Sequence, residues 1–148
     1  MTYLLDVNVL IALIDPSHVA HDEAHAWFGT GGSADWATCP ITENSVLRIL
    51  SNTRYPNTPG SPAVVAGILK RLHGLQGHKF WPDDLSLVDS ELVVPDKILT
   101  SAQVTDTYLL ALAAARGGKL ATFDRKLSVR AVREGKKALH LISVKTEE

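Results

Sequence analysis

Short apolar runs alternate along this chain with longer stretches in which apolar residues recur every three or four positions. Tyr3-Leu4-Leu5 predicts a short strand, followed by a helix from about Asn8 to Ile14. Pro16 and Ser17 break that helix. A helical pattern resumes from Ala20 to Phe28 and stops at the Gly29 to Gly32 turn cluster. Asp35 to Thr38 predicts a second strand and Pro40 to Leu50 a helix, with Ile41, Val46, Leu47 and Leu50 on one side. The segment from Thr53 to Ser61, with its prolines and turn formers, is a loop. Ser61-Pro62 then opens a helix, serine at the cap and proline where a missing N–H costs nothing. Its buried stripe is Val65, Ile68, Leu69 and Leu72. Phe80-Trp81 predicts a very short third strand that Pro82-Asp83-Asp84 turns out of. Ser101 to Arg116 predicts a helix ended by Gly117-Gly118, and Leu120 to Phe123 a fourth strand. A helix from Arg125 to Arg133 and a fifth strand from Leu139 to Ile142 complete the order.

Strand and helix in alternation predict an α/β fold, a mostly parallel sheet covered by helices on both faces in three layers, α/β/α. The 148 residues suit one domain, 1–148, large enough to bury a core without metal or disulfide staples. With 45% hydrophobic and 21% charged residues the composition is that of a globular protein and excludes disorder and collagen-like repeats. The single cysteine, Cys39, excludes an internal disulfide framework and fits a reducing compartment. The apolar stretch Val7 to Ile14 is too short to span a bilayer, no basic leader precedes it, and the tail ending in Glu147 and Glu148 carries no address motif. A cytoplasmic protein with no membrane partner is expected.

In parallel α/β sheets, ligands bind beyond the carboxyl ends of the strands. Acids fall at that edge. Asp6 directly follows the first strand, and Glu43 lies in the first turn of the helix after the second. Asp106 sits near the start of the leucine- and alanine-rich helix, and Asp124 follows the fourth strand. Singly, each reads as a helix cap or a partner for the helix dipole. Together they need another explanation, because two carboxylates about 4 Å apart repel by roughly 4 kcal/mol at an effective dielectric near 20. Convergence requires protonation, separation or a cation. Oxygen-only ligands suit Mg²⁺ or Mn²⁺ better than zinc. Such a site can activate water against a phosphodiester, so the acids point to a metal-dependent phosphoryl hydrolase.

Leu5-Asp6-Val7-Asn8-Val9-Leu10, Thr42-Glu43, Thr105-Asp106 and Thr122-Phe123-Asp124 resemble, in order and spacing, the four acidic blocks of PIN-domain nucleases. The length and the Phe80-Trp81-Pro82-Asp83-Asp84 segment most resemble VapC-type toxins of bacterial toxin–antitoxin pairs. The resemblance implies a five-stranded parallel sheet and Mg²⁺- or Mn²⁺-dependent endoribonuclease activity. It places metal ligation on Asp6, Glu43, Asp106 and Asp124, with Asn8 and Thr122 in support by hydrogen bonding. It also implies a homodimer and a cognate VapB-like antitoxin that occludes the site, often by presenting an arginine to the acids.

The net charge of −1 discourages a nucleic-acid partner, but its distribution qualifies that. Eight of the fifteen lysines and arginines lie between Arg116 and Lys137. On a helix after Asp124, Lys126, Arg130, Arg133 and Lys137 would share a face, either a solvated surface or a stripe that tracks RNA phosphates together with Arg125. Arg54, in the proline-rich loop, is a further candidate contact. None of the histidines falls at a predicted strand end. His21 and His25 share a helix face without further zinc ligands nearby, Cys39 reads as a buried thiol, and Asp15, Asp22 and Glu23 read as a solvated face or helix start. Competing functions are a phosphatase, a phosphotransfer receiver, a DNA nuclease, and a non-catalytic acidic module that captures a basic peptide. A dehalogenase-like phosphatase would want a second aspartate where Asn8 stands, and Asp83-Asp84 is poorly placed for a receiver.

Overall fold

The computed structural model describes residues 1–144, so the tail with Glu147 and Glu148 lies outside the described residues. Five strands form one sheet: β1 (Tyr3–Leu5), β2 (Trp36–Thr38), β3 (His78–Phe80), β4 (Lys119–Thr122) and β5 (Leu139–Leu141). The order is β3-β2-β1-β4-β5 and every neighbouring pair is parallel. The register sets Leu4 beside Ala37 and Leu120, and Leu5 beside Ala121. Alternation along each strand then sends those two rows to opposite faces.

Leu5, Trp36 and Ala121 face a core built with α1 (Val7–Ile14), α2 (His21–Thr30), α3 (Pro40–Leu50) and α4 (Pro62–His73). Leu4, Ala37 and Leu120 face α5 (Val104–Ala115), whose Leu109 to Ala113 are all buried. The three layers are therefore uneven, with four helices on one face and a single helix plus irregular chain on the other. Local chemistry accounts for the helix ends. Ser61 Oγ accepts from the Val64 N–H, with Pro62 behind it at the first helical position. At the end of α5, Gly117 (φ +69°) and Gly118 donate their N–H groups to the Ala114 and Ala113 carbonyls. That is a Schellman closure, which turns the chain directly into β4. A Cβ on Gly118 would meet the Thr2 carbonyl oxygen at 2.4 Å, so β4 can start beside β1 only with glycine there.

Three expectations are corrected. The third strand is His78–Phe80, two residues earlier than the apolar pair Phe80-Trp81 suggests, because pairing with β2 fixes it: Trp36 lies opposite His78 and Thr38 opposite Phe80. The segment 125–133 is not a helix. Its backbone is claimed by an irregular stretch packed over the α5 side, where the Val94 N–H donates to Ala131 O, the Arg133 N–H donates to Leu92 O, and Val93 bridges Val132 antiparallel. β-branched Val129 and Val132 suit that pairing better than a helix. The shared basic helix face predicted for Lys126, Arg130, Arg133 and Lys137 consequently does not exist. Asp15, finally, is 5% exposed and not solvated. It ends α1, accepting hydrogen bonds from the Ser17 N–H and from the Tyr55 hydroxyl, which fasten the loop after α3 to α1.

Candidate acidic site at the carboxyl edge of the sheet

Asp6 follows β1 and caps α1. Its Oδ1 accepts from the Val7 N–H (2.7 Å), its Oδ2 accepts from the Thr122 hydroxyl (2.8 Å), and its own N–H donates to Ala121 O across the β1–β4 ladder. Thr122 ends β4 and is fully buried. Its hydroxyl has one proton and two lone pairs, and all three are used. It donates to Asp6 and accepts from the Asn8 side-chain amide (3.0 Å) and the Asp124 N–H (3.1 Å). The Asn8 carbonyl oxygen in turn accepts from the Phe123 N–H (3.3 Å). One hydroxyl thus ties together the first-strand acid, the first turn of α1 and the chain entering Asp124. The Asp124 Oδ1 accepts from the Lys126 N–H (2.9 Å), which holds Arg125 and Lys126 in an exposed turn beside it.

Asp106 comes from the first turn of α5, near enough to Asp6 and Asp124 to feel their charges. Burial, followed by the charges of Asp6 and Asp124, pushes the Asp106 carboxyl from 3.8 up to about 6. Asp6 is also raised, mainly by burial with a contribution from Asp124, against the opposing hydrogen bonds from Thr122 and Val7. Among the described residues no lysine, arginine or histidine pairs with these three carboxylates. Asp6, Asp106 and Asp124 feel one another's charge at one sheet edge and have no basic partner, which suits a site for a cation.

Glu43, the fourth predicted acid, is engaged elsewhere. Its Oε2 accepts from the Thr38 hydroxyl (2.7 Å) and lies 3.1 Å from His73 Nε2. His78 Nε2 is 2.8 Å from the same hydroxyl, and the His73 and His78 rings stack at 4.1 Å with 8° between their planes. Burial, then the neighbouring His73, lowers His78 from 6.5 to about 4. Sequence reasoning missed both histidines. With the third strand set at Phe80-Trp81, His78 falls in a loop. Only the β3–β2 pairing and the return of α4 along α3 bring residues 73 and 78 to Glu43.

The basic candidates separate. Arg125 and Lys126 adjoin Asp124 and are exposed. Arg130 lies against the stretch containing Asp96, Lys97 and Leu99. Arg133 donates through Nε to Glu91 O (2.7 Å) and lines a cleft with Met1, Gly118 and Lys119. Met1, Gly118 and Lys119 mark the amino ends of β1 and β4, so Arg133 sits at the edge opposite the acids. Arg54 lies beyond the far end of α3, a helix about 16 Å long that starts at the acidic edge. His21 and His25 share a helix face as predicted, each with a ring nitrogen hydrogen-bonded to a carbonyl of α1. Cys39 is buried, and burial raises its thiol, as suits a structural cysteine.

Residues 3–132 match the PIN domain family. The chain belongs to the PIN domain family. This PIN domain is similar to Ribonuclease VapC44 of Mycobacterium tuberculosis, with 42% identity over 132 residues, covering 89% of this chain and 92% of the relative. It is likewise similar to Ribonuclease VapC39 of the same organism, at 46% identity over 86% of this chain and 92% of the relative. With Ribonuclease VapC38 it shares 37% identity over 95% of this chain and 98% of the relative. Among solved structures, the crystal structure of FitAcB from Neisseria gonorrhoeae matches with a TM-score of 0.55 at 18% identity, covering 82% of this chain and 87% of that one. At that identity the match shows the fold alone. Among its described residues this PIN domain has no helix long and apolar enough to cross a membrane.

Proposed function

We propose that this chain is a metal-dependent endoribonuclease acting as the toxin of a type II toxin–antitoxin pair, hydrolysing RNA phosphodiester bonds. The observation that carries the reading is the unpaired set of Asp6, Asp106 and Asp124 at the carboxyl edge of the sheet, in a chain related to VapC ribonucleases over nearly its whole length. The donor set fits a hard divalent ion. Carboxylate oxygens are the ligands Mg²⁺ and Mn²⁺ take, and such an ion would offset both the burial of Asp106 and the charges of Asp6 and Asp124 that raise its carboxyl. When bound, Mg²⁺ or Mn²⁺ would activate water and offset the charge that develops on the phosphate.

The chain's own residues provide the positioning. Asp6, Asp106 and Asp124 would hold the ion, with Glu43 as the fourth carboxylate of the set. Thr122 and Asn8 keep Asp6 and the start of the 124–126 turn in register, so the acids stay close despite their repulsion. The exposed Arg125 and Lys126, directly beside Asp124, are the bases assigned to RNA phosphates. Arg54 would meet only RNA that runs the length of α3, and Arg130 and Arg133 face other parts of the surface. The toxin reading also carries a VapB-like antitoxin offering a basic side chain to the acids, a homodimer, and a cytoplasmic location. The 5′ ends of cellular RNA sequenced after brief induction test the proposal. New 5′-phosphate ends that accumulate with the wild-type chain and not with Asp6→Asn are expected, and identical end profiles for the two would refute it.

A further inference from the structure

A second set of metal-ligating atoms stands beside the three aspartates and has a different chemistry. Thr38 at the end of β2, Glu43 in the first turn of α3, His73 in the last turn of α4 and His78 at the start of β3 converge on one point. Thr38 Oγ1 lies 2.7 Å from Glu43 Oε2, 2.8 Å from His78 Nε2 and 3.4 Å from His73 Nε2. His73 Nε2 is 3.1 Å from Glu43 Oε2. One ligating atom from each of Glu43, His73 and His78 lies within 4.8 Å of the others, and among the described residues this is the only group of three or more such side chains to do so. Ligands about 2.1 Å from a tetrahedral zinc lie about 3.4 Å from one another; the His73–Glu43 pair stands at 3.1 Å, and the three ligating atoms all lie within 4.8 Å of one another.

We propose that Glu43, His73 and His78 form a Zn²⁺ site, with two imidazole nitrogens and one carboxylate oxygen as ligands and a coordination position left for water. Two imidazoles and a carboxylate are the donors of an open zinc site, whereas three carboxylates suit Mg²⁺ or Mn²⁺. The site is accessible, since the side chains of His73 and Glu43 are 29% and 23% exposed. It is also pre-arranged. His78 is held between Trp36, at 4.6 Å, and the parallel ring of His73, at 4.1 Å, a stack that two imidazolium charges would oppose. The fully buried Thr38 hydroxyl fixes the Glu43 carboxylate toward both rings.

The site has a consequence for cleavage, and that consequence rests on the nuclease reading. The proposed nuclease site also calls on Glu43, and zinc on the histidine side would hold its carboxylate away from Asp6, Asp106 and Asp124. Micromolar Zn²⁺ then inhibits Mg²⁺-dependent cleavage, and the inhibition needs His73 and His78.

The test is competition for Zn²⁺ between the metal-free protein and a chromophoric chelator, together with the visible absorption of Co²⁺ as a substitute ion. One Zn²⁺ per chain is expected, weakened more than about tenfold in both His73→Ala and His78→Ala. It should be unchanged in Asp6→Asn/Asp106→Asn, which disables the aspartate set, and in His21→Ala/His25→Ala. His73→Gln and His78→Gln, with circular dichroism and thermal melts, separate loss of a ligand from loss of fold. Binding unchanged in both histidine variants, or lost in the double aspartate variant, overturns the proposal. If no RNA is cleaved under any condition, the nuclease reading fails while the binding results still decide the site.

Discussion

Replacing Asp106 with asparagine should stabilise the metal-free protein. Asp106 lies in the first turn of α5 with its carboxyl raised from 3.8 to about 6, first by burial and then by Asp6 and Asp124. A carboxyl raised in the folded state favours folding while it is protonated. That favourable difference is complete below the unfolded value near 3.8 and is lost as pH rises through about 6. Above pH 7 the ionised Asp106 therefore works against the fold. The full shift corresponds to about 3 kcal/mol at 1.36 kcal/mol per unit. Asp106 is only half-buried, and solvent screening reduces this to roughly 1–2 kcal/mol. No hydrogen bond to the Asp106 carboxylate is present among the described residues, so asparagine removes the charge and little else. The assay is thermal or urea unfolding in EDTA across pH 4 to 8. Asp106→Asn should match the wild type near pH 4 and exceed it by roughly 3–6 °C in Tm at pH 7.5. Added Mg²⁺ should reverse the order, because only the wild type gains the binding contribution, about 2.7 kcal/mol at a hundred times Kd. A variant less stable than wild type in EDTA at pH 7.5, or a gap that does not change with pH, would mean that the ionised Asp106 does not oppose folding.

Other residues give sharp expectations. Thr122→Val keeps the shape but leaves Asp6, the Asn8 amide and the Asp124 N–H each short of a partner; urea unfolding should show a loss of about 2–3 kcal/mol, and a loss under 0.5 kcal/mol contradicts the role assigned to that hydroxyl. Tyr55→Phe removes a hydrogen bond to buried Asp15, whose carboxyl is lowered because the bonds from Tyr55 and Ser17 and the nearby His18 outweigh its burial. That stability is present above the unfolded value and lost as pH falls through the lowered one, so the variant should be about 1–2 kcal/mol less stable at pH 7, with the deficit shrinking below pH 4 in acid-unfolding curves. Arg125→Gln/Lys126→Gln should flatten the salt dependence of RNA binding by a slope of about 1.4, at roughly 0.7 per phosphate contact, while Arg133→Gln leaves it unchanged. Equal slopes for all three proteins would place the RNA elsewhere.

The acids were legible in the sequence because the fold encodes them locally. A short apolar strand followed directly by an aspartate, as at Leu5-Asp6 and Phe123-Asp124, places that aspartate at the carboxyl edge whether a helix follows, as after Asp6, or a turn, as after Asp124. The hydroxyl of Thr122 could be anticipated only through the family resemblance, since its partners Asp6 and Asn8 are more than a hundred residues away. The segment 125–133 misleads for the opposite reason. Its apolar spacing fits a helix, but its backbone partners are Leu92 and Val94, in a stretch without a periodic pattern of its own. Asp15 reads as a surface acid until Tyr55 covers it from forty residues away. His73 and His78 were illegible because each is unremarkable in its own element. Only strand order and the α3–α4 hairpin bring them to Glu43.

Metal-dependent RNA hydrolysis is tested by cleavage of a defined RNA by the purified chain, with and without Mg²⁺ or Mn²⁺, in the wild type and in Asp6→Asn, Asp106→Asn and Asp124→Asn. Divalent-dependent cleavage that leaves 5′-phosphate and 3′-hydroxyl ends and is lost in all three variants is expected. Cleavage that persists in EDTA, or that survives in any of the three variants at wild-type rate, would contradict that expectation.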